Sequence, residues 1–146
     1  MLAVARLALV LVAVLALAAC GGSSKSKTSS GPSAEAQIKS AYVKFFSSKT
    51  PTSERVALLQ NGSQFKPVVT AFANNPLAQN VSATVSSVTL QGANKAKVVY
   101  EVKFAGSSLP KQTGTAVREN GTWKVGDASL CKLIALSGST PSACKS

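Results

Sequence analysis

The chain has 146 residues, with 16 Lys plus Arg against 5 Asp plus Glu, 3 Cys and no His, for a formal net charge of +11. Lack of His removes the usual general base of neutral-pH catalysis and the commonest metal ligand, and three Cys cannot close a four-ligand zinc site. The composition therefore argues against an enzyme and against a bound metal or cofactor, and it allows one domain.

Residues 1–19, MLAVARLALVLVAVLALAA, carry one charge, Arg6, followed by an uninterrupted apolar run from Leu7 to Ala19. That run is too short for the roughly 20 residues of a permanent membrane span and reads as a signal-peptide core. Leu17-Ala18-Ala19-Cys20 resembles the bacterial lipobox, an aliphatic residue and two small ones directly before a cysteine. Cleavage before Cys20 and diacylation of its thiol would anchor the mature protein stably through two chains at the extracytoplasmic face of the cell membrane, with shedding or secretion as a further fate. Removing Arg6 with the leader leaves 11 − 1 = +10 formal charges.

After Cys20 comes GGSSKSKTSSGPS, residues 21–33, with no large apolar side chain to repay the entropy of ordering. It reads as a tether, and coil statistics of about 5–6 Å × √n place the domain roughly 20 Å from the bilayer. The expected organisation is a signal peptide at 1–19, a lipidated cysteine and tether at 20–33, and a single domain at 34–146.

Pro32-Ser33-Ala34-Glu35 opens a helix with a Ser cap and an acid in its first turn, and Ile38, Tyr42, Phe45 and Phe46 recur at helical spacing, predicting a helix over 34–47. Thr50-Pro51 predicts a cap with Pro at the first helical position of a short second helix, with Val56 and Leu59 as its apolar stripe and Asn61-Gly62 as its stop. Ser63 then caps a third helix presenting Phe65, Val68, Val69 and Phe72, ending at Asn75-Pro76.

Beyond Leu77 the period falls to 2. Val81, Ala83 and Val85 alternate with polar residues, and a phase slip at Ser86-Ser87 before Val88 and Leu90 predicts a bulge. A second strand spans residues 96–104 with core face Ala96, Val98, Tyr100, Val102 and Phe104. Strands at 112–119 and 122–125 flank Asn120-Gly121, the strongest hairpin signal in the chain. A two-residue turn pairs Glu119 with Thr122, Arg118 with Trp123, Val117 with Lys124 and Ala116 with Val125, leaving Gly114 and Ala116 on the Trp123 face with room for helices. Asp127-Ala128-Ser129 offers cap-type residues before Leu130, Leu133, Ile134 and Leu136, which fit a short helix, although the same residues could extend the last strand. The fold class is α+β: N-terminal helices on a curved antiparallel four-stranded sheet, with a short C-terminal helix. In an oxidising compartment Cys131 and Cys144 are expected to pair.

Three helices, an antiparallel meander and a late Asn-Gly-Thr-Trp-Lys-Val hairpin resemble the cone-shaped, nuclear-transport-factor-two-like superfamily. More narrowly, Phe45-Phe46, the run from Glu54 to Gly62, the run from Ala71 to Ala78, Trp123-Lys124-Val125 and the Cys131 and Cys144 pair are similar to the actinobacterial low-molecular-weight antigen family of secreted proteins and lipoproteins. The resemblance covers roughly residues 35 to 144 and implies an exported, disulfide-closed domain recognised by host immunity in pathogenic relatives. It supplies no catalytic residues.

An isomerase-like use of such a cone needs a poised carboxylate beside an oxyanion donor. Glu35 and Glu54 lie in first helical turns, Glu119 flanks the hairpin, Asp127 reads as a cap and Glu101 has solvent-face parity, so none is poised. The expected role is therefore that of a non-catalytic binding or surface-interaction domain, and the alternative is a concavity lined by Tyr42, Phe46, Phe72, Tyr100, Phe104 and Trp123 that holds an apolar or amphiphilic envelope molecule. Charge spread from Lys25 to Lys145 without an arginine cluster disfavours nucleic acid and points to anionic lipid or an envelope polymer.

Overall fold

The computed structural model describes residues 31–145. The leader, Cys20 and most of the tether lie outside the described residues.

Helix α1 spans Ala34–Phe46. The Ser33 hydroxyl accepts from the Ala36 N–H at 3.2 Å, and Glu35 pairs with Lys39 one turn later at 2.7 Å. Its inner face buries Ile38, Ala41, Tyr42, Phe45 and Phe46. Helix α2, Thr52–Ala57, starts one residue later than expected, because Pro51 has ψ 148° and stands as the cap instead of the first helical residue. Helix α3, Gly62–Ala73, begins directly behind Asn61, which takes the left-handed conformation at φ 53°. Gly62 sits so close to the Val56 carbonyl that any Cβ would overlap it, so this glycine starts α3 as well as ending the α2 turn. A 3₁₀ turn at Pro76–Asn80, which the sequence reading lacks, is opened by the Asn75 side chain accepting from the Leu77 N–H at 2.9 Å.

The sheet runs β1 (Val81–Leu90), β2 (Lys95–Phe104), β3 (Ser107–Ser108), β4 (Gln112–Glu119) and β5 (Thr122–Val125). Its order is β1-β2-β4-β5, and the two-residue β3 pairs with β2 beyond the end of β4. The register of β1 on β2 shifts between Val85 and Ser87, as the phase slip predicts. The β4–β5 register is the one that a two-residue turn imposes, with φ 49° at Asn120 and 80° at Gly121. The open edge of β5 is covered: Val125 donates to the Leu58 carbonyl at 2.8 Å and accepts from the Gln60 N–H at 2.9 Å, so the α2–α3 junction blocks further strand addition.

Helix α4 spans Asp127–Leu136. It is a helix and not an extension of β5, because the Gly126 N–H turns to the Thr115 carbonyl at 2.7 Å in a space that the Thr115 side chain denies to a Cβ. Asp127 is its first residue instead of its cap, and its carboxylate accepts from Ala128 N–H at 2.7 Å and Asn61 Nδ2 at 2.8 Å. A disulfide joins Cys131 of α4 to Cys144 in the closing 3₁₀ turn. The core lies between α1 and the sheet, around Ile38, Tyr42, Leu59, Val98, Tyr100, Val102, Trp123 and Val125.

Candidate functional site

An apolar cavity of about 560 Å³ opens where α1, α3, α4 and the end of β2 fail to meet. Its cause is local. The helical spacing that buries Phe65 and Val69 leaves Val68 and Phe72 half-buried on the flank of α3, and α4 leaves Leu130, Leu133 and Ile134 half-buried opposite. Phe104, the last residue of β2, meets Phe72 edge to face at 6.5 Å between ring centres. Phe45, Phe46, Val69 and Ala78 form the buried wall, whereas Ala105, Ser107, Ser137 and Ser139 form an exposed rim together with Leu77, which is 69 % exposed.

Of the six aromatics singled out from the sequence, Phe46, Phe72 and Phe104 line this cavity. Tyr42, Tyr100 and Trp123 are packed in the core: Tyr100 lies 4.9 Å from the Tyr42 ring and stacks on Phe46 at 5.5 Å. Period-2 and period-3.6 patterns identify the inward face of an element but do not say where two inward faces touch and where they part.

The wall also holds a residue that the sequence reading passed over. Arg55 is 3 % exposed, and its Nη2 donates to the Ser47 carbonyl at the C-terminus of α1 at 2.5 Å, favourable for a cation at that end of a helix dipole. Its Nε and Nη1 are buried with no hydrogen-bond partner. The ion pairs among the described residues, Glu35 with Lys39, Glu54 with Lys44 and Glu119 with Lys124, leave Arg55 without a carboxylate. Burial lowers its pKa from the ordinary value, but a guanidinium starts high enough to stay charged at neutral pH. An unsatisfied buried donor costs about 1–3 kcal/mol, more when charged. The one signal for this placement was the four-residue spacing of Arg55 to Leu59, which puts both on the inner face of the α2 turn.

A second buried polar group is closed. The Tyr42 hydroxyl donates to the Thr115 carbonyl at 2.6 Å and lies 3.1 Å from Ser129 Oγ, which accepts from the Thr115 N–H at 2.8 Å. Desolvation pushes the Tyr42 phenol well above its ordinary pKa. These bonds knit α1, β4 and α4 together. None of the acidic residues weighed as proton shuttles lines the cavity. Among the described residues no group of metal-ligating side chains forms, and no helix is long and apolar enough to cross a membrane.

No curated protein matches the chain. The family model for the C-terminal domain of low molecular weight antigen MTB12 matches residues 31–141, which takes in α1 through α4, the whole sheet and every wall of the cavity. The chain belongs to this low molecular weight antigen family.

Proposed function

We propose that the protein is an exported, lipid-anchored component of the cell envelope whose domain binds, without catalysis, a small apolar or amphiphilic molecule in the cavity between α3, α4 and the end of β2. Membership of an antigen family is consistent with an extracytoplasmic protein, and Leu17-Ala18-Ala19-Cys20 supports anchoring through Cys20. The observation that carries the binding reading is the cavity itself. At about 560 Å³ it falls within the roughly 300–1,000 Å³ of small-molecule sites, and its wall is aromatic and aliphatic with few polar groups. Its apolar lining and the closed Tyr42, Ser129 and Thr115 cluster support a holding role over a catalytic one.

An uncharged naphthylamine probe tests this. Saturable, one-to-one fluorescence enhancement that is lost in Leu133→Trp, which fills the cavity from α4, is the expected result. Enhancement that never saturates, or that Leu133→Trp leaves intact, would place the apolar surface elsewhere.

A further inference from the structure

We infer that the cavity selects an anionic single-chain amphiphile, with a carboxylate or phosphate head group against Arg55 on the buried wall and the hydrocarbon chain along Phe72, Phe104, Leu130, Leu133 and Ile134 toward the rim. This rests on the reading of the cavity as a ligand site and adds what that ligand must be. Among the described residues Arg55 is the only ionisable one in the lining, and three of its N–H groups, one on Nε and two on Nη1, find no acceptor. Either nitrogen has less than 1 Å² of exposed surface, so a head group reaches them as the side chain shifts toward the cavity. A buried cation without a counter-charge is a state that proteins seldom keep, because desolvation is costly unless an anion offsets it. Truncating the charge would be the simpler solution if Arg55 served only to cap α1, since its Nη2 alone makes that contact.

The alternatives fit less well. A neutral ligand would leave the charge uncompensated. A zwitterionic head would bring its own cation into a lining that has no carboxylate to receive it. A cavity of about 560 Å³ has the size of a site for one small ligand, which suits a single-chain amphiphile. Charge-assisted hydrogen bonds to a carboxylate or phosphate are the strong ones, and in a buried setting they resist salt.

The test uses the mature chain carrying Cys20→Ala, so that its own acyl groups cannot enter the cavity, and measures displacement of the naphthylamine probe by laurate, dodecyl phosphate and dodecanol. We expect the two anions to displace at concentrations at least tenfold below dodecanol, with that preference retained in concentrated salt. Arg55→Met should erase the preference while dodecanol still displaces. Should Arg55→Met fail to fold, the comparison of the three compounds on the unaltered Arg55 protein decides the matter alone. Equal displacement by all three overturns the selection by Arg55 and leaves the cavity as a ligand site. Anion displacement that vanishes in concentrated salt also overturns it, by assigning the anions to surface lysines. Absence of probe binding altogether overturns the cavity reading itself.

Discussion

Ser129 is the residue on which α4 is hung. It is 1 % exposed, and its hydroxyl accepts from the Thr115 N–H at 2.8 Å beside the Tyr42 phenol at 3.1 Å. Ser129→Ala leaves the part-buried Thr115 N–H unpaired and removes a partner of the Tyr42 hydroxyl, and should cost about 1 kcal/mol or more, read as a lower urea midpoint at unchanged slope. Gly114 makes the cluster possible, since a Cβ there would lie 2.6 Å from Ser129 Oγ, 2.7 Å from the Tyr42 hydroxyl and 2.9 Å from the Tyr100 ring. Gly114→Ala should therefore cost about 1–3 kcal/mol or more by overpacking, the opposite sign from a glycine replaced in open space. The same burial predicts alkaline sensitivity. Tyr42 and Tyr100 are both held above the ordinary tyrosine value of 10.0, chiefly by desolvation. Their phenols stay protonated in the native state after the unfolded chain has begun to ionise. Their contribution to stability is thus complete below about pH 10 and is lost above it, by up to about 1.4 kcal/mol per pH unit for each tyrosine. Denaturation midpoints measured from pH 9 to 11 should fall more gently in Tyr100→Phe, because one ionising phenol is gone.

At the scale of elements, the disulfide matters because α4 is a wall of the cavity and is tied to β4 at its N-terminal end, through Gly126 and Ser129, while Cys131 ties it to the closing 3₁₀ turn. Loss of the Cys131–Cys144 bridge frees a loop of 13 residues and should destabilise by about 3 kcal/mol in the chain-entropy picture. It should also loosen Leu130, Leu133 and Ile134, the α4 face of the cavity. Cys131→Ser with Cys144→Ser is expected to weaken probe binding more than it lowers secondary-structure content, and the two can be compared by fluorescence and far-ultraviolet dichroism. Strands and hairpin were legible in the sequence because their signals are local: Asn120-Gly121 sets the turn, and the slip at Ser86-Ser87 marks the bulge between Val85 and Ser87. The 3₁₀ turn after Asn75 and the two-residue β3 were not, since elements so short carry no period. The cavity was legible only in part. Phe46, Phe72 and Phe104 carry the apolar signature of a lining, but so do Tyr42, Tyr100 and Trp123, and the distance between α3 and α4 that separates the two sets is a tertiary property. Arg55 escaped because a charged residue on a short amphipathic turn ordinarily faces water.

For the whole molecule, the chain carries 16 Lys plus Arg against 5 acids, and among the arginines and lysines described only Arg55 is turned into the interior. In the function proposed above, the rest act as a diffuse positive field toward anionic surfaces through long-range electrostatics. Anchoring and field are separable. Cys20→Ala should move the protein from the membrane fraction to the medium or stall it unprocessed, and unchanged retention with normal cleavage would show that the lipobox is not the anchor. The field acts independently of that step, and it should fade as the Debye length contracts from about 10 Å at 0.1 M salt to about 3 Å at 1 M. The Cys20→Ala chain is therefore expected to sediment with vesicles rich in anionic lipid, to ignore zwitterionic ones, and to be released from the first by concentrated salt. Occupancy of the cavity should follow the other rule. A head group at Arg55 is shielded from bulk ions, so probe displacement by laurate should survive the salt that strips the protein from vesicles, and a single salt titration with both readouts separates the outer charge from the inner one.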